Sequence, residues 1–346
     1  PPSVPVAIRV AVNGYGTIGK RVADAVARQP DLELVGVAKT RPSYEAEGAR
    51  RRGYPLYVAG KGDPKAFREA GLEVEGDLAE MLKRADVVID CAPEQVGGEN
   101  AGIYAKHRIR AIFQGGEKPE VAECSFTALA NYEEALGRSR VRVVSCNTTG
   151  IARAAAIVLR RWGVQRWDTT IIRRAADPVE SDRGPINGIL PTFQLPSHHG
   201  PDVKTVLPEL PIRTTAVVVP TTLMHVHVNQ VDLQRAPADA AEVRAAFAES
   251  ARFRLFRSWE RVDGTPQVME FARDRSAGRP DMMENVLWED GLAVKGSALF
   301  FFQAIHQESV VVPENIDAVR AMFELQPDAK RSMEITDRTL GLSPSP

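Results

Sequence analysis

The sequence predicts an α/β protein: a doubly wound parallel sheet joined to a second, α+β domain whose sheet is mostly antiparallel. Three features point to it. Strand-like and helix-like runs alternate up to about residue 145, as in parallel sheets with crossover helices. After Gly150, long strand-like runs follow one another with few helices between. The length, 346 residues, is that of two domains at roughly 100–200 residues each.

Each element has its own signal. Val6 to Asn13 is an apolar, Val- and Ile-rich run and reads as the first strand. Thr17 to Arg28 carries Ile18, Val22 and Val26 at helical spacing. Leu32 to Ala38 is the second strand. Asp77 is an N-cap for a helix from Leu78 to Arg84. Val87 to Cys91 is a buried strand, Ala101 to His107 a helix, and Ala111 to Gln114 and Val141 to Ser145 further strands. In the second half, strands are expected at Thr169 to Arg174, Thr214 to Val219, Leu223 to Leu233 and Leu292 to Gln303. Helices are expected at Ile151 to Trp162, Pro237 to Ser250 and Glu314 to Leu325, with Pro237 in the first turn. Asp177 to Pro211, rich in Pro, Gly, His and Asp, reads as one long functional loop. The tail from Gly341 to Pro346 reads as frayed.

Composition narrows the function classes. Hydrophobic residues make up 44% and charged residues 26%, which fits a packed globular protein. The net charge is -1, so no broad basic surface for nucleic acid is expected. No apolar run is long enough to span a membrane, and the Pro1-Pro2-Ser3 start lacks the marks of a signal peptide. Cys91, Cys124 and Cys146 are too few and scattered for a disulfide framework or a metal site, so no metal is expected and a reducing cytoplasm is.

The first chemical signal is Gly14-Tyr15-Gly16-Thr17-Ile18-Gly19, between a strand and a helix. In the Rossmann-type dinucleotide site, Gly14 would allow the tight turn, Gly16 the approach of a pyrophosphate, and Gly19 close helix packing. The helix N-terminus offers free N–H groups to the phosphates. At the end of the second strand, Ala38-Lys39-Thr40-Arg41 holds no carboxylate and two cations. Lys39 or Arg41 is therefore expected to meet a 2′-phosphate, so NADP should be accepted, alone or alongside NAD. The alternative is that both are solvated loop charges. On this reading residues 1–145 form the nucleotide-binding domain, completed by the C-terminal helices 308–346, and residues 146–307 form the catalytic domain.

The second signal is Cys146, in Ser145-Cys146-Asn147-Thr148-Thr149-Gly150 at a strand-to-helix junction. A helix N-terminus lowers a thiol's pKa, and a thiolate can attack an aldehyde and hold it for hydride transfer. Cys91 and Cys124 lack this context and read as structural. The histidines available as a base are His107, His198, His199, His225, His227 and His306. For phosphate binding the chain offers Arg173-Arg174, His198-His199 and Thr148-Thr149. The bland alternative for Arg173 is an ion pair with Asp177 or Glu180. Strand alternation should send one of the two arginines to the opposite face.

Taken together, Asn13 to Arg21, Ser145 to Gly150, Ser197-His198-His199-Gly200, Pro220-Thr221-Thr222-Leu223-Met224-His225 and Gln307-Glu308-Ser309 resemble the archaeal-type (type II) phosphorylating glyceraldehyde-3-phosphate dehydrogenases. The resemblance runs over nearly the whole chain. It implies a step of glycolysis and gluconeogenesis and a homotetramer, with D-glyceraldehyde 3-phosphate, inorganic phosphate and NAD(P)⁺ as partners. It implies His225 as the base, with His199 as the alternative. It also implies Ser145, Asn147, His199 and Gly200 at the triose phosphate, and Arg174 at the cofactor–phosphate edge. Thr17 and Ile18 would meet the pyrophosphate, Gly116 the cofactor, and Gln307 the nicotinamide amide. Competing readings are another Cys-dependent semialdehyde dehydrogenase or acyl-phosphate reductase, a non-phosphorylating oxidation by water, and a nucleotide-binding protein without catalysis.

Overall fold

The computed structural model describes residues 7–114, 116–180 and 182–344. The chain divides into two compact units, Pro1–Ser145 with Val312–Leu340, and Cys146–Val311 with Gly341–Pro346.

The first unit is built from β1 (Ile8–Asn13), α1 (Gly19–Ala27), β2 (Leu32–Lys39), α2 (Tyr44–Arg51), β3 (Leu56–Val58), α3 (Pro64–Glu69), β4 (Gly76–Asp77), α4 (Leu78–Lys83), β5 (Val87–Asp90), α5 (Val96–Lys106), β6 (Arg110–Gln114), β7 (Cys124–Phe126), α6 (Ala128–Asn131) and β8 (Arg140–Val143). Its eight strands run in the order β4-β3-β2-β1-β5-β6-β8-β7, and every pairing is parallel. Strand order reverses on either side of β1, where ligands of such sheets bind. Parallel strands buried on both faces explain the continuous apolar runs: β5 is buried throughout. Asp77 does cap α4, in a full capping box with Glu80. Helix α5 starts five residues before the expected Ala101. Gly97 and Gly98 hide its start in the sequence, and the Glu117 carboxylate accepts their N–H groups at 3.0 and 3.1 Å.

The chain re-enters this unit at Val312, not at 308, through the fully buried helix Val312–Met322. Arg320 on that helix clamps Asp31 with two hydrogen bonds, of 2.8 and 2.7 Å, and donates to Gln29 and Thr336. A buried cation is tolerable only when paired in this way.

The second unit contains α7 (Cys146–Trp162), β9 (Val164–Arg174), β10 (Leu190–Pro191), α8 (His199–Val203), β11 (Ile212–Val219), β12 (His225–Leu233), α9 (Ala240–Ala248), β13 (Phe253–Phe256), α10 (Thr265–Arg275), β14 (Asn285–Lys295) and β15 (Ala298–Ile305). Its seven strands run β10-β11-β9-β12-β15-β14-β13. Four pairings are antiparallel, and β11/β9 and β13/β14 are parallel.

Three expectations here need correction. The run Leu292 to Gln303 is not one strand but a β14–β15 hairpin, broken where Gly296 takes φ +61°. Helix α9 starts at Ala240, because Asp239 caps it by accepting from Glu242 N–H at 2.9 Å, so Pro237 lies outside the helix. The long loop is not wholly irregular, since it carries β10 and α8. In the tail expected to fray, Leu342 is buried, while Ser345 and Pro346 lie outside the described residues.

Candidate active site

The nucleotide turn in the first unit is built by exclusion of side chains. Gly14 adopts φ +101°, and a Cβ there would lie 2.7 Å from the Cys91 backbone. A Cβ on Gly19 would fall 1.7 Å from the Gly14 carbonyl oxygen. Gly16, by contrast, faces open space: nothing lies within 4 Å of its would-be Cβ. The N–H groups of Gly14 and Tyr15 both donate to the Ala38 carbonyl at 3.1 Å, tying the turn to the end of β2. Those of Gly16, Thr17 and Ile18 form no hydrogen bond among the described residues. A turn with open space above Gly16 and unused donors fits a dinucleotide pyrophosphate. Beneath it, Asn13 Nδ2 donates to Tyr104 Oη at 2.7 Å, and Tyr104 donates to Asp90.

Lys39 is not a free cation. Its Nζ lies 3.3 Å from Glu45 Oε2 on α2. The strand end itself holds no acid, and the fold brings one there from six residues downstream. Gly116 lies just after β6, against the Glu94 side chain, and its neighbour Gly115 falls outside the described residues.

In the second unit Cys146 is itself the first residue of α7, five residues before the expected start at Ile151. Cys-Asn-Thr-Thr-Gly has no apolar period and weak helix propensity, so local sequence hides this turn. Burial of Asn147, Thr148, Thr149 and Gly150 secures it instead. The expected lowering of the thiol's pKa is overturned. Burial pushes Cys146 up to about 11, against the pull of Arg174, the Asn147 N–H and Arg173, while Glu308 adds to the rise. All three cysteines are unpaired.

His225 opens β12 and is buried. Its Nδ1 accepts the Arg174 backbone N–H at 3.0 Å. The neutral ring therefore keeps its proton on Nε2. The Gln307 side chain acts on the same ring and favours its protonated form. Burial, reinforced by Arg174, His227 and Arg173, holds the ring well below the ordinary histidine range. The charges of Arg174 and Arg173 both act on Cys146 and on His225, more strongly from Arg174.

The two arginines differ in their partners. Arg174, with its side chain 2% exposed, donates to the Ala176 carbonyl and to Asp177, and lies 3.6 Å from Glu308. Glu308 in turn lies 3.0 Å from His306 Nε2. Burial would raise the Glu308 carboxyl, but His306 and Arg174 outweigh it and bring it to about 2. Arg173 has no such partner among the described residues. Asp177 belongs to Arg174, and Glu180 to Arg183 at 2.9 Å. Arg173 Nε is buried and without a hydrogen bond. The bland ion-pair reading of Arg173 therefore fails, and a half-buried, unneutralised cation remains.

His199 opens α8 and is buried, while His198 is exposed and stacks on it with centroids 4.1 Å apart. Ser197 Oγ lies 3.1 Å from His199 Nδ1 and 2.7 Å from Thr214 Oγ1, which also accepts the Gly200 N–H at 2.9 Å. Burial, with His198 and Arg173, lowers His199 to about 4.

Two residues expected at the ligand also hold partners within the fold. The Thr148 hydroxyl donates to Asp202 at 2.6 Å, joining α7 to α8. Asn147 Oδ1 pairs with His227 Nε2 at 2.8 Å, and His227 Nδ1 with Gln303 at 2.9 Å, so His227 is a satisfied core histidine. Ser145 is partly exposed at the end of the first unit. Sequence reasoning missed Glu308 as the partner of Arg174, Asp202 behind Thr148, Thr214 behind His199, and Glu45. None of them carries a local signal, because each acts on a residue outside its own run of sequence.

Each part of the chain matches a known family model. Residues 145–285 match the family model described as glyceraldehyde 3-phosphate dehydrogenase, C-terminal domain, and residues 8–118 match the model of the dihydrodipicolinate reductase N-terminus. Among curated proteins, a glyceraldehyde-3-phosphate dehydrogenase of Methanococcoides burtonii is 50% identical over 97% of this chain and 99% of its own. That of Archaeoglobus fulgidus is 51% identical, over 97% and 98%. That of Thermococcus kodakarensis is 49% identical, over 97% and 99%.

Proposed function

The chain belongs to the glyceraldehyde-3-phosphate dehydrogenase family, and on that premise we propose that it oxidises D-glyceraldehyde 3-phosphate with NAD(P)⁺ and inorganic phosphate to 1,3-bisphosphoglycerate. One observation carries the reading: Arg173, a half-buried cation with no carboxylate partner among the described residues, acts on the cysteine that opens α7. An unneutralised guanidinium beside a nucleophile is suited to a substrate that carries phosphate.

The steps follow from the residues. The Cys146 thiol gives its proton to solvent, helped by the two arginines against burial. The thiolate adds to the aldehyde carbon and its negative charge moves to oxygen. Because Nδ1 accepts the Arg174 N–H and leaves the proton on Nε2, we assign His225 a hydrogen bond to that oxygen, as the alternative to the base role expected from sequence. The bound nicotinamide supplies the hydride acceptor. Cys146 then carries the oxidised carbon as a thioester. Inorganic phosphate attacks that carbon, the acyl phosphate leaves, and the thiolate returns. Arg173, His199 and His198 would bind the phosphates, with Gly200 N–H and Ser197 fixing His199 through Thr214. Gly14, Gly16, Thr17, Ile18 and Gly19 would hold the pyrophosphate, and Lys39 would meet the 2′ position, so that NAD and NADP are both used. Gln307, which acts on the His225 ring, would also meet the nicotinamide amide.

We also propose that the chain is a homo-oligomer, in line with the tetramer that the resemblance implies. Val179, Ile186, Phe193 and Leu195, all within the segment from Asp177 to Pro211, stand 69–96% exposed, apolar surface that an oligomer contact would cover. No helix among the described residues is long and apolar enough to cross a membrane, and no His, Cys, Asp and Glu group among them could hold a metal. Unpaired thiols fit a cytoplasmic home.

Initial rates with glyceraldehyde 3-phosphate, with and without phosphate and for both cofactors, test this reading against Cys146→Ser. Turnover should need phosphate and disappear in the variant. Undiminished rates in Cys146→Ser would end the covalent mechanism. Light scattering coupled to gel filtration tests the tetramer, and a monomer at micromolar concentration would reject it.

A further inference from the structure

We propose that Glu45 sets the balance between NAD and NADP by competing with the cofactor's 2′-phosphate for Lys39. The inference rests on the dinucleotide-binding reading above and adds a residue to it.

Lys39 is held in a fixed place. It ends β2, directly after Ala38, whose carbonyl accepts the N–H groups of Gly14 and Tyr15. Its own carbonyl accepts the Ala59 N–H at 2.9 Å. The backbone of Lys39 is therefore anchored beside the glycine turn. In sheets of this topology the group at the end of the second strand reads the ribose 2′ position: an acid accepts from a 2′-hydroxyl, a cation pairs with a 2′-phosphate.

Here both groups are present. The chain turns through Thr40 to Ser43 and starts α2 at Tyr44, so Glu45 folds back onto the strand end. Ser43 Oγ donates to Glu45 Oε2 at 2.5 Å, and Lys39 Nζ lies 3.3 Å from the same oxygen. The two side chains are 18% and 20% exposed, a partly shielded pair. Such a pair has two uses. With a 2′-hydroxyl, Glu45 accepts a hydrogen bond and keeps Lys39. With a 2′-phosphate, Lys39 must leave Glu45, and the carboxylate repels the incoming dianion. Lys39 favours the phosphorylated cofactor, while Glu45 favours the hydroxyl and opposes the phosphate, so the pair admits both and gives neither full preference.

The test is a calorimetric titration of the protein with 2′,5′-ADP, with 5′-AMP, and with NAD⁺ and NADP⁺, so that binding is read without turnover. Glu45→Gln should strengthen 2′,5′-ADP binding about tenfold and change 5′-AMP binding far less. Lys39→Met should weaken 2′,5′-ADP about tenfold. Ser43→Ala, which keeps every charge but releases Glu45, should shift 2′,5′-ADP in the same direction as Glu45→Gln by a smaller factor. An unchanged ratio of the two nucleotide affinities in Glu45→Gln would overturn the inference while NAD⁺ binding leaves the enzyme reading intact. Failure of the wild-type protein to bind either NAD⁺ or NADP⁺ would overturn both.

Discussion

The backbone N–H of Arg174 donates to Nδ1 of His225 at 3.0 Å. One residue thus does two jobs: its main chain sets the tautomer of the histidine, and its side chain acts on the Cys146 thiol. The pairing exists because β9 and β12 are antiparallel neighbours, with Val226 opposite Ile172, and it continues past the ladder's end.

If His225 donates from Nε2, a side-chain amide should replace it in part. We expect His225→Ala to lower kcat/KM by about 10²–10³-fold, the range for losing one oxyanion donor. His225→Gln should recover roughly tenfold of that. Stopped-flow measurement of cofactor reduction in a single turnover checks this. Equal rates in the two variants would return His225 to the role of base.

The thiol's charged neighbours should move its ionisation in opposite directions. Arg174 and Arg173 favour the thiolate and Glu308 opposes it. Alkylation of the free protein by iodoacetamide should quicken as pH rises toward about 11. Arg174→Met removes a cation, so its rate at pH 8 should fall. Glu308→Gln removes an anion, so its rate should rise. Mass spectrometry locating the label on Cys146 excludes a contribution from Cys124, which burial also raises to about 11.

Arg173 and Thr148 separate binding from architecture. Arg173→Met should raise KM for inorganic phosphate or for the triose phosphate by about 10–100-fold, since one charge-assisted contact is lost. Thr148→Val should instead cost about 1–3 kcal/mol of unfolding free energy, because it takes a hydroxyl donor away from Asp202. Phosphate-dependent kinetics and urea unfolding distinguish the two. A Thr148→Val variant of unaltered stability but raised phosphate KM would restore the sequence-based role of that hydroxyl.

Buried neutral histidines should make the fold acid-sensitive. His199 is lowered to about 4 and His227 to about 3, both chiefly by burial. The unfolded chain binds protons below about pH 6.5 that the folded chain refuses, so stability falls as pH drops from there toward 3–4. Urea midpoints measured from pH 7.5 to 4.5 should decline steadily. His227→Gln, which keeps an amide on Asn147, should flatten the decline. A midpoint that is flat across that range in the wild-type protein would contradict the assignment.

Local pattern alone was enough for the glycine turn, the parallel first sheet, the Asp77 cap and the cysteine at a strand-to-helix junction. Each depends on spacing within a few residues, where backbone sterics and period leave few alternatives. Other features emerged only from the folded chain: that α7 begins at Cys146, that Thr148 serves Asp202, that Arg173 and not Arg174 lacks a carboxylate, and that Lys39 faces Glu45. Those outcomes depend on pairs brought together across turns and strands, and a charge's chemistry depends on which partner reaches it first. That competition is settled by packing, which no local pattern of residue types records.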